Sequence, residues 1–169
     1  MKKLINPIFI ILLAVIIRLV PHPPNMAPIA AMALFGGAYF SKKYALIVPI
    51  IVLFVSDLFL GFHNTIPFVY GSFLLTGIIG LWLKNHKNFK YLVVGTLLSS
   101  VLFFLITNFG VWMMGTMYIK NFNGLMQSYI MAIPFFRNTI VGDLLYTGLF
   151  FGGYKFVLRL SQKTAVKFA

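Results

Sequence analysis

Residues 91–114 contain no charged side chain, and this stretch is long enough to cross the hydrocarbon core of a bilayer. A transmembrane helix needs roughly 20 mostly apolar residues, because its backbone polar groups must be hydrogen-bonded within the segment. Similar apolar runs recur along the chain, in which 60% of the residues are hydrophobic and only 9% are charged. We therefore predict an all-α integral membrane protein that forms a single domain over residues 1–169.

The apolar runs predict a polytopic bundle of about six transmembrane helices joined by short connections. The predicted spans are residues 5–20, 27–40, 44–62, 66–83, 91–114 and 138–160. Residues 118–136 contain more polar side chains, and we predict an interfacial or re-entrant segment there rather than a crossing.

Positive charge alternates between successive loops and predicts the orientation of the chain. Of the 14 Lys and Arg residues, Arg18, Lys120 and Arg137 fall in one set of loops, and all others lie at the termini or in the alternate loops. The positive-inside rule then places both termini in the cytoplasm and residues 21–30 outside. A signal peptide cleaved near Ala31 and Ala33 would leave five spans and violate this pattern. Because the cations sort by loop, the net charge of +12 does not indicate a nucleic-acid partner.

The only two acidic residues, Asp57 and Asp143, both fall inside predicted spans. A carboxylate in hydrocarbon costs several kcal/mol unless it faces a cation or a polar cavity. Arg18 and Arg137 are the cations at a similar predicted depth, so we predict a cluster of the four with at least one direct acid–arginine pair. The cluster would line a pocket open to the outside, although purely structural ion pairs would follow the same pattern.

The sequence PHPPNMAPIA, residues 21–30, interrupts the apolar runs with three prolines between Pro21 and Pro24 and with Pro28. Proline fixes φ and lacks an N–H group, so we predict a stiff extended segment rather than a helix. Asn25 is a candidate N-cap of the helix that Pro28 begins. The segment would hold His22 and Asn25 over the charged cluster, or would serve only as a tight helical hairpin.

These positions together predict an outward-open binding cavity with aromatic walls and a few polar groups. Each residue also has an ordinary interpretation as an interfacial anchor, a member of an aromatic belt or a helix cap. The predicted wall residues are Phe68, Tyr70, Phe109 and Trp112, and the predicted polar contacts are Arg18, His22, Asn25, Asp57, His63, Asn108, Arg137, Asn138 and Asp143.

Five segments of the chain resemble a family of small bacterial membrane proteins assigned to transport. They are RLVPHPPNMAPIAAMALFGGAYF, SDLFLGFH, FVYGSF, FFLITNFGVW and YIMAIPFFRNTIVGDLLYTGLFFG. That family is similar to the substrate-binding (S) components of energy-coupling-factor (ECF) vitamin transporters. The resemblance implies a multi-pass protein of the bacterial inner membrane that captures a vitamin-like substrate outside and docks on a coupling module of a membrane T subunit and ATPases. The chain has no G-x-x-x-x-G-K-[ST] phosphate-binding loop of its own, which agrees with ATP hydrolysis by a separate coupling module.

Within the vitamin class the first hypothesis is cobalamin or another corrinoid, because His22 on a rigid rim would suit an axial position on cobalt. Aromatic walls would equally suit a flavin or a pteridine. We predict no resident cofactor, no protein metal site and no enzymatic activity, since His86 is predicted on the opposite side from His22 and His63. The alternative function is a proton-coupled or ion-coupled secondary transporter that uses the two acids.

Small residues predict close helix packing on two spans. They are Ala27, Ala31, Ala33 and Gly37 on the second span, and Gly148 and Gly152 on the sixth. ECF S components carry an A-x-x-x-A docking pattern on the first helix, where this chain has only Ala14. The small residues therefore serve either internal packing, which we favour, or docking.

Overall fold

The computed structural model describes residues 14–21, 23–86 and 88–167, with side chains described up to residue 159. All regular structure in these ranges is helical, which confirms the all-α class. Residues 14–19 are helical and are called α1. The next helices are α2 (Ile29–Tyr39), α3 (Lys42–Leu60), α4 (Ile66–Leu83), α5 (Phe89–Met114) and α6 (Phe122–Lys167).

Three of the described helices, α3, α4 and α5, are long and apolar enough to cross a membrane. Their outer faces expose large apolar side chains such as Phe54, Leu74 and Leu98. An apolar surface of this extent is unfavourable in water and suits contact with lipid chains. The structure thus supports a membrane-embedded protein. Most of the first predicted span lies outside the described residues.

The short helix α2 occupies the centre of the bundle. It contains 11 residues, and all of them except Tyr39 are buried. It packs against α3, α4, α5 and α6. At ~1.5 Å per residue α2 is ~16 Å long, about half the thickness of a bilayer core. The chain enters α2 through residues 20–28, called the 20–28 segment, of which residue 22 is not described.

Glycines allow α2 and α4 to approach each other at backbone contact. A Cβ atom added to Gly37 would lie 2.4 Å from the carbonyl carbon of Gly80, and one added to Gly80 would lie 2.6 Å from the carbonyl oxygen of Leu34. Ala31 and Ala33 are each 0% exposed on the same helix. The predicted packing role of Ala31, Ala33 and Gly37 is therefore confirmed.

The favoured role in internal packing is wrong for Gly148 and Gly152, for which docking stays a prediction. Both are exposed, and a Cβ atom added to either would meet no atom within 4 Å among the described residues. Thr147 and Phe151 on α6 are buried instead. Since residues three and four apart share a helix face, these two define the buried face, and the adjacent glycines turn outward.

The predicted interfacial or re-entrant segment at residues 118–136 is not a separate element, because α6 runs continuously from Phe122 through Pro134. Asn121 caps the start of α6, accepting a hydrogen bond of 2.9 Å from the Gly124 backbone N–H at its Oδ1. The hydroxyl of Tyr129 donates to the Leu105 carbonyl oxygen of α5 at 2.9 Å. The polar side chains in this stretch thus cap α6 and dock it on α5.

The Gly37–Gly80 contact yields a stability prediction. Gly37→Ala and Gly80→Ala should each lower the free energy of unfolding by about 1–3 kcal/mol, because the methyl group must displace backbone. Gly152→Ala is the matched control, and it should be neutral or stabilise by up to about 1 kcal/mol through helix propensity. Thermal unfolding in detergent measures the three variants. Equal melting temperatures for all of them would contradict this packing.

Candidate binding site

A buried ion pair joins the end of α1 to α3. The Arg18 Nη2 group donates to Asp57 Oδ1 at 2.8 Å, and Asp57 is 1% exposed. The hydroxyl of Tyr70 on α4 donates to the other carboxylate oxygen, Oδ2, also at 2.8 Å. The predicted acid–arginine pair is therefore confirmed for Arg18 and Asp57. Tyr70 has its polar end in this pair rather than in a cavity wall.

The position of Asp57 explains why it needs both partners. It lies in the last turn of α3, where its backbone carbonyl accepts the Gly61 N–H that ends the helix. A carboxylate near a helix C-terminus is disfavoured by the helix dipole, and burial adds a desolvation cost. The Arg18 guanidinium and the Tyr70 hydroxyl offset both of these costs.

The Arg18 guanidinium is only partly used by this pair. Its Nη1 atom is buried and has no hydrogen-bond partner within the described part of the chain. A guanidinium group carries five N–H donors in a fixed planar fork, so donors remain after Asp57 is bound. Arg18 also lines a cavity, described next.

The cavity measures about 450 Å³ and lies at the end of the bundle that contains the α3–α4 turn, residues 61–65, called the 61–65 end. Asn25 and His63 are exposed at this end, whereas Ile29 and Phe73 are buried. The cavity therefore leads from the surface to the first residue of α2. Its lining residues are Arg18, Asn25, Ala27, Ile29, Leu60, His63, Thr65, Val69, Phe73, Phe103, Thr107, Asn108, Val111, Ala132 and Phe135.

Polar groups in this lining come from several elements. His63 Nδ1 and Thr65 Oγ1 share a hydrogen bond of 2.7 Å in the α3–α4 turn. Asn108 Nδ2 donates to the Phe104 carbonyl oxygen at 2.7 Å on α5. Among the described lining residues none is acidic and Arg18 alone is permanently charged. The cavity thus combines one cation with neutral polar groups and apolar walls.

The residues of the predicted aromatic wall do not line this cavity. The rings that line the cavity belong to Phe73, Phe103 and Phe135, and Phe73 and Phe103 lie 5.2 Å apart between centroids. The predicted residues Phe68, Phe109 and Trp112 instead pack on one another in a row, with centroid distances of 6.1 and 5.5 Å. Helical phase explains the difference, since Phe103, Thr107 and Val111 recur every four residues on one face of α5.

Arg137 and Asp143 do not pair with each other, and the predicted cluster of four charges does not form. Asp143 is 3% exposed and accepts a hydrogen bond of 2.7 Å from Ser100 on α5 at its Oδ2. Arg137 is exposed and lines a separate groove with Asn138 and Met26. Arg137 and Asp143 are six residues apart, and at ~100° per residue this spacing places their side chains on different faces of α6.

The 20–28 segment contains a tight turn in place of the predicted cap. The Met26 N–H donates to the Pro23 carbonyl oxygen at 3.0 Å, and Asn25 has φ 63°. Asn tolerates this left-handed conformation better than most residues. Helix α2 instead begins after Pro28 without a side-chain cap. His22 lies outside the described residues.

Two further predicted residues serve local structure. Asn138 lies within α6 and donates through Nδ2 to the Pro24 carbonyl oxygen at 3.3 Å, which ties α6 to the turn. Trp112 donates through Nε1 to the Ile119 carbonyl oxygen at 3.0 Å and lies beneath the Lys120 ammonium group. Neither residue lines the cavity beside Arg18.

Comparison with protein families gives a match over residues 1–166 to the model of DUF6580, described as a family of unknown function. The chain belongs to the DUF6580 family. Neither a curated protein nor a solved structure matches this DUF6580 chain. Its function must therefore be inferred from its own site.

For this DUF6580 protein the ion pair predicts an order of stabilities. Asp57→Ala should cost about 3–5 kcal/mol, because it leaves the Arg18 guanidinium buried without its counter-ion. Tyr70→Phe should cost about 1.5–3 kcal/mol, the range for a hydrogen bond to a charged group. Arg137→Gln, which removes an exposed cation, is the control and should leave the melting temperature unchanged. If Asp57→Ala were as stable as Arg137→Gln, the pair would not stabilise the fold.

Proposed function

We propose that the protein is a membrane transport protein whose cavity at the 61–65 end binds a small nutrient. The observation that carries this proposal is a cavity of about 450 Å³ lined in part by Arg18, a side chain whose buried Nη1 has no hydrogen-bond partner among the described residues. Small-molecule sites measure roughly 300–1,000 Å³ and combine apolar walls with a few polar groups. A donor buried without a partner is costly, and a ligand acceptor would satisfy it.

The proposed orientation places the cavity mouth on the outer face of the bacterial inner membrane. Lys42, Lys43, Lys84 and Lys90 lie at or next to the ends of α3, α4 and α5 opposite the 61–65 end. The positive-inside rule favours such an end in the cytoplasm. With about six crossings, both termini are then cytoplasmic.

The proposed mechanism is that of an ECF S component, on the resemblance of its sequence motifs. The chain binds substrate from outside, and a coupling module with a T subunit and ATPases drives release inside. The cavity volume favours a compact vitamin-like molecule with one or two rings over a corrinoid, which is larger. The phenyl groups of Phe73, Phe103 and Phe135 would pack against such rings.

A ligand search with a cavity-filling variant tests the proposal. Protein purified from cells grown in rich medium should carry a small molecule that mass spectrometry identifies, and that molecule should raise the melting temperature of ligand-free protein. Ala132→Phe should abolish the shift, because Ala132 lines the cavity. Met131→Phe is the matched control, since Met131 is 61% exposed and does not belong to the cavity lining. Absence of any ligand in a vitamin panel, or an equal shift in both variants, would contradict the proposal.

An ion-coupled carrier is the second candidate, and Asp143 is the observation that favours it. This buried carboxylate has no cationic partner within the described ranges, and the Thr147 hydroxyl one turn away is buried without a partner there. Buried acids of this kind carry protons or bind cations in many transporters. Uptake of the identified ligand into liposomes that contain only this protein, driven by a proton or sodium gradient and lost in Asp143→Asn, would select the carrier over the S component.

A further inference from the structure

We infer that the ligand of this cavity carries a carboxylate, which binds the free donors of Arg18. This inference rests on the proposed function, because it assumes that the cavity binds a ligand. It adds the chemical class of the group that the site recognises.

The first support is the way in which Arg18 is fixed. Asp57 accepts from Nη2, and the Tyr70 hydroxyl holds the second oxygen of Asp57, so that three helices hold the guanidinium in one orientation. Nη1 is left buried without a partner among the described residues, on a side chain that lines the cavity. Planar N–H groups with a fixed direction match the oxygens of a carboxylate, as they also match those of a phosphate group.

The second support is the charge of the surrounding wall. No acidic side chain is among the described lining residues, and Asp57 is not part of the lining. Both Asp57 oxygens already accept hydrogen bonds, from Arg18 and from Tyr70. A cationic ligand would therefore find no carboxylate in the described lining to pair with, whereas an acidic ligand would find the guanidinium of Arg18 and neutral donors.

The neutral polar groups complete the environment of such an anion. Asn25, His63, Thr65, Thr107 and Asn108 line the same cavity and offer amide, imidazole and hydroxyl groups. Because Asp57 already neutralises Arg18, the incoming carboxylate would be held by hydrogen bonds to the guanidinium with help from these groups. Charge-assisted hydrogen bonds are roughly twice as strong as neutral ones, which sets the expected preference.

The test compares matched probes on the full-length protein in detergent. The probes are a set of aromatic and heteroaromatic monocarboxylates, including benzoate and nicotinate, each paired with its primary amide. At least one carboxylate should bind about tenfold or more tightly than its amide, as measured by calorimetry or thermal shift. Equal or weaker binding of every carboxylate, or a co-purified ligand without an acidic group, would overturn the inference.

Variants assign any preference to Arg18. Arg18→Gln alone leaves Asp57 unpaired and would be expected to unfold, so the double variant Arg18→Gln, Asp57→Asn is used, which keeps a hydrogen-bonded neutral pair. It should lose the preference for the carboxylate, and Arg137→Gln, which alters a cation in the separate groove, should retain it. A preference that persists in the double variant would overturn the inference.

The two proposals fail in different ways. A neutral ligand that binds the cavity, and whose binding Ala132→Phe abolishes, would overturn the carboxylate inference and leave the transport proposal standing. Failure of every probe and of every vitamin to bind would overturn both.

Discussion

The short central helix is the constraint on which the rest of the structure depends. Helix α2 has 11 residues and is buried on all sides by its neighbours, although a bilayer core requires roughly twice that length. Irregular backbone or a cavity must therefore occupy the other half of the bundle centre across the bilayer core. Irregular backbone at membrane depth is tolerated where protein covers it or where it lines a polar cavity. The turn at Pro23–Met26 and the cavity that ends at Ile29 satisfy this requirement.

The ion pair between Arg18 and Asp57 follows from the same constraint. It closes the region beside the cavity, where α1, α3 and α4 meet, and it supplies the permanent charge found in the described lining. Buried pairs seldom add much net stability, but removing one partner is costly. Their value here is positional, because Tyr70 and Asp57 hold the guanidinium in one direction. The close Gly37–Gly80 contact fixes α2 against α4.

The sequence predicted a contact between residue types that are rare in the chain. It missed the features that depend on how each helix is rotated about its axis. With only two acids in the chain, a partner for Asp57 was predictable, and Arg18 is that partner. The aromatic wall required the rotation of each helix, which a sequence rich in phenylalanine does not give. The spacing of Arg137 and Asp143 already excluded a shared face. Tyr129 within the continuous α6 donates a hydrogen bond to the α5 backbone, a contact that composition cannot reveal.

The central claim is that a cavity at the 61–65 end opens to the outer face of the membrane, and cysteine labelling tests it most directly. The chain contains no cysteine, so single substitutions need no background removal. Thr107 lines the cavity, whereas Leu105 on the same helix is 46% exposed on the apolar face. In intact cells a membrane-impermeant maleimide should label Thr107→Cys and leave Leu105→Cys unlabelled. Equal labelling of the two, or labelling of Thr107→Cys only after the membrane is permeabilised, would contradict an outward-open cavity.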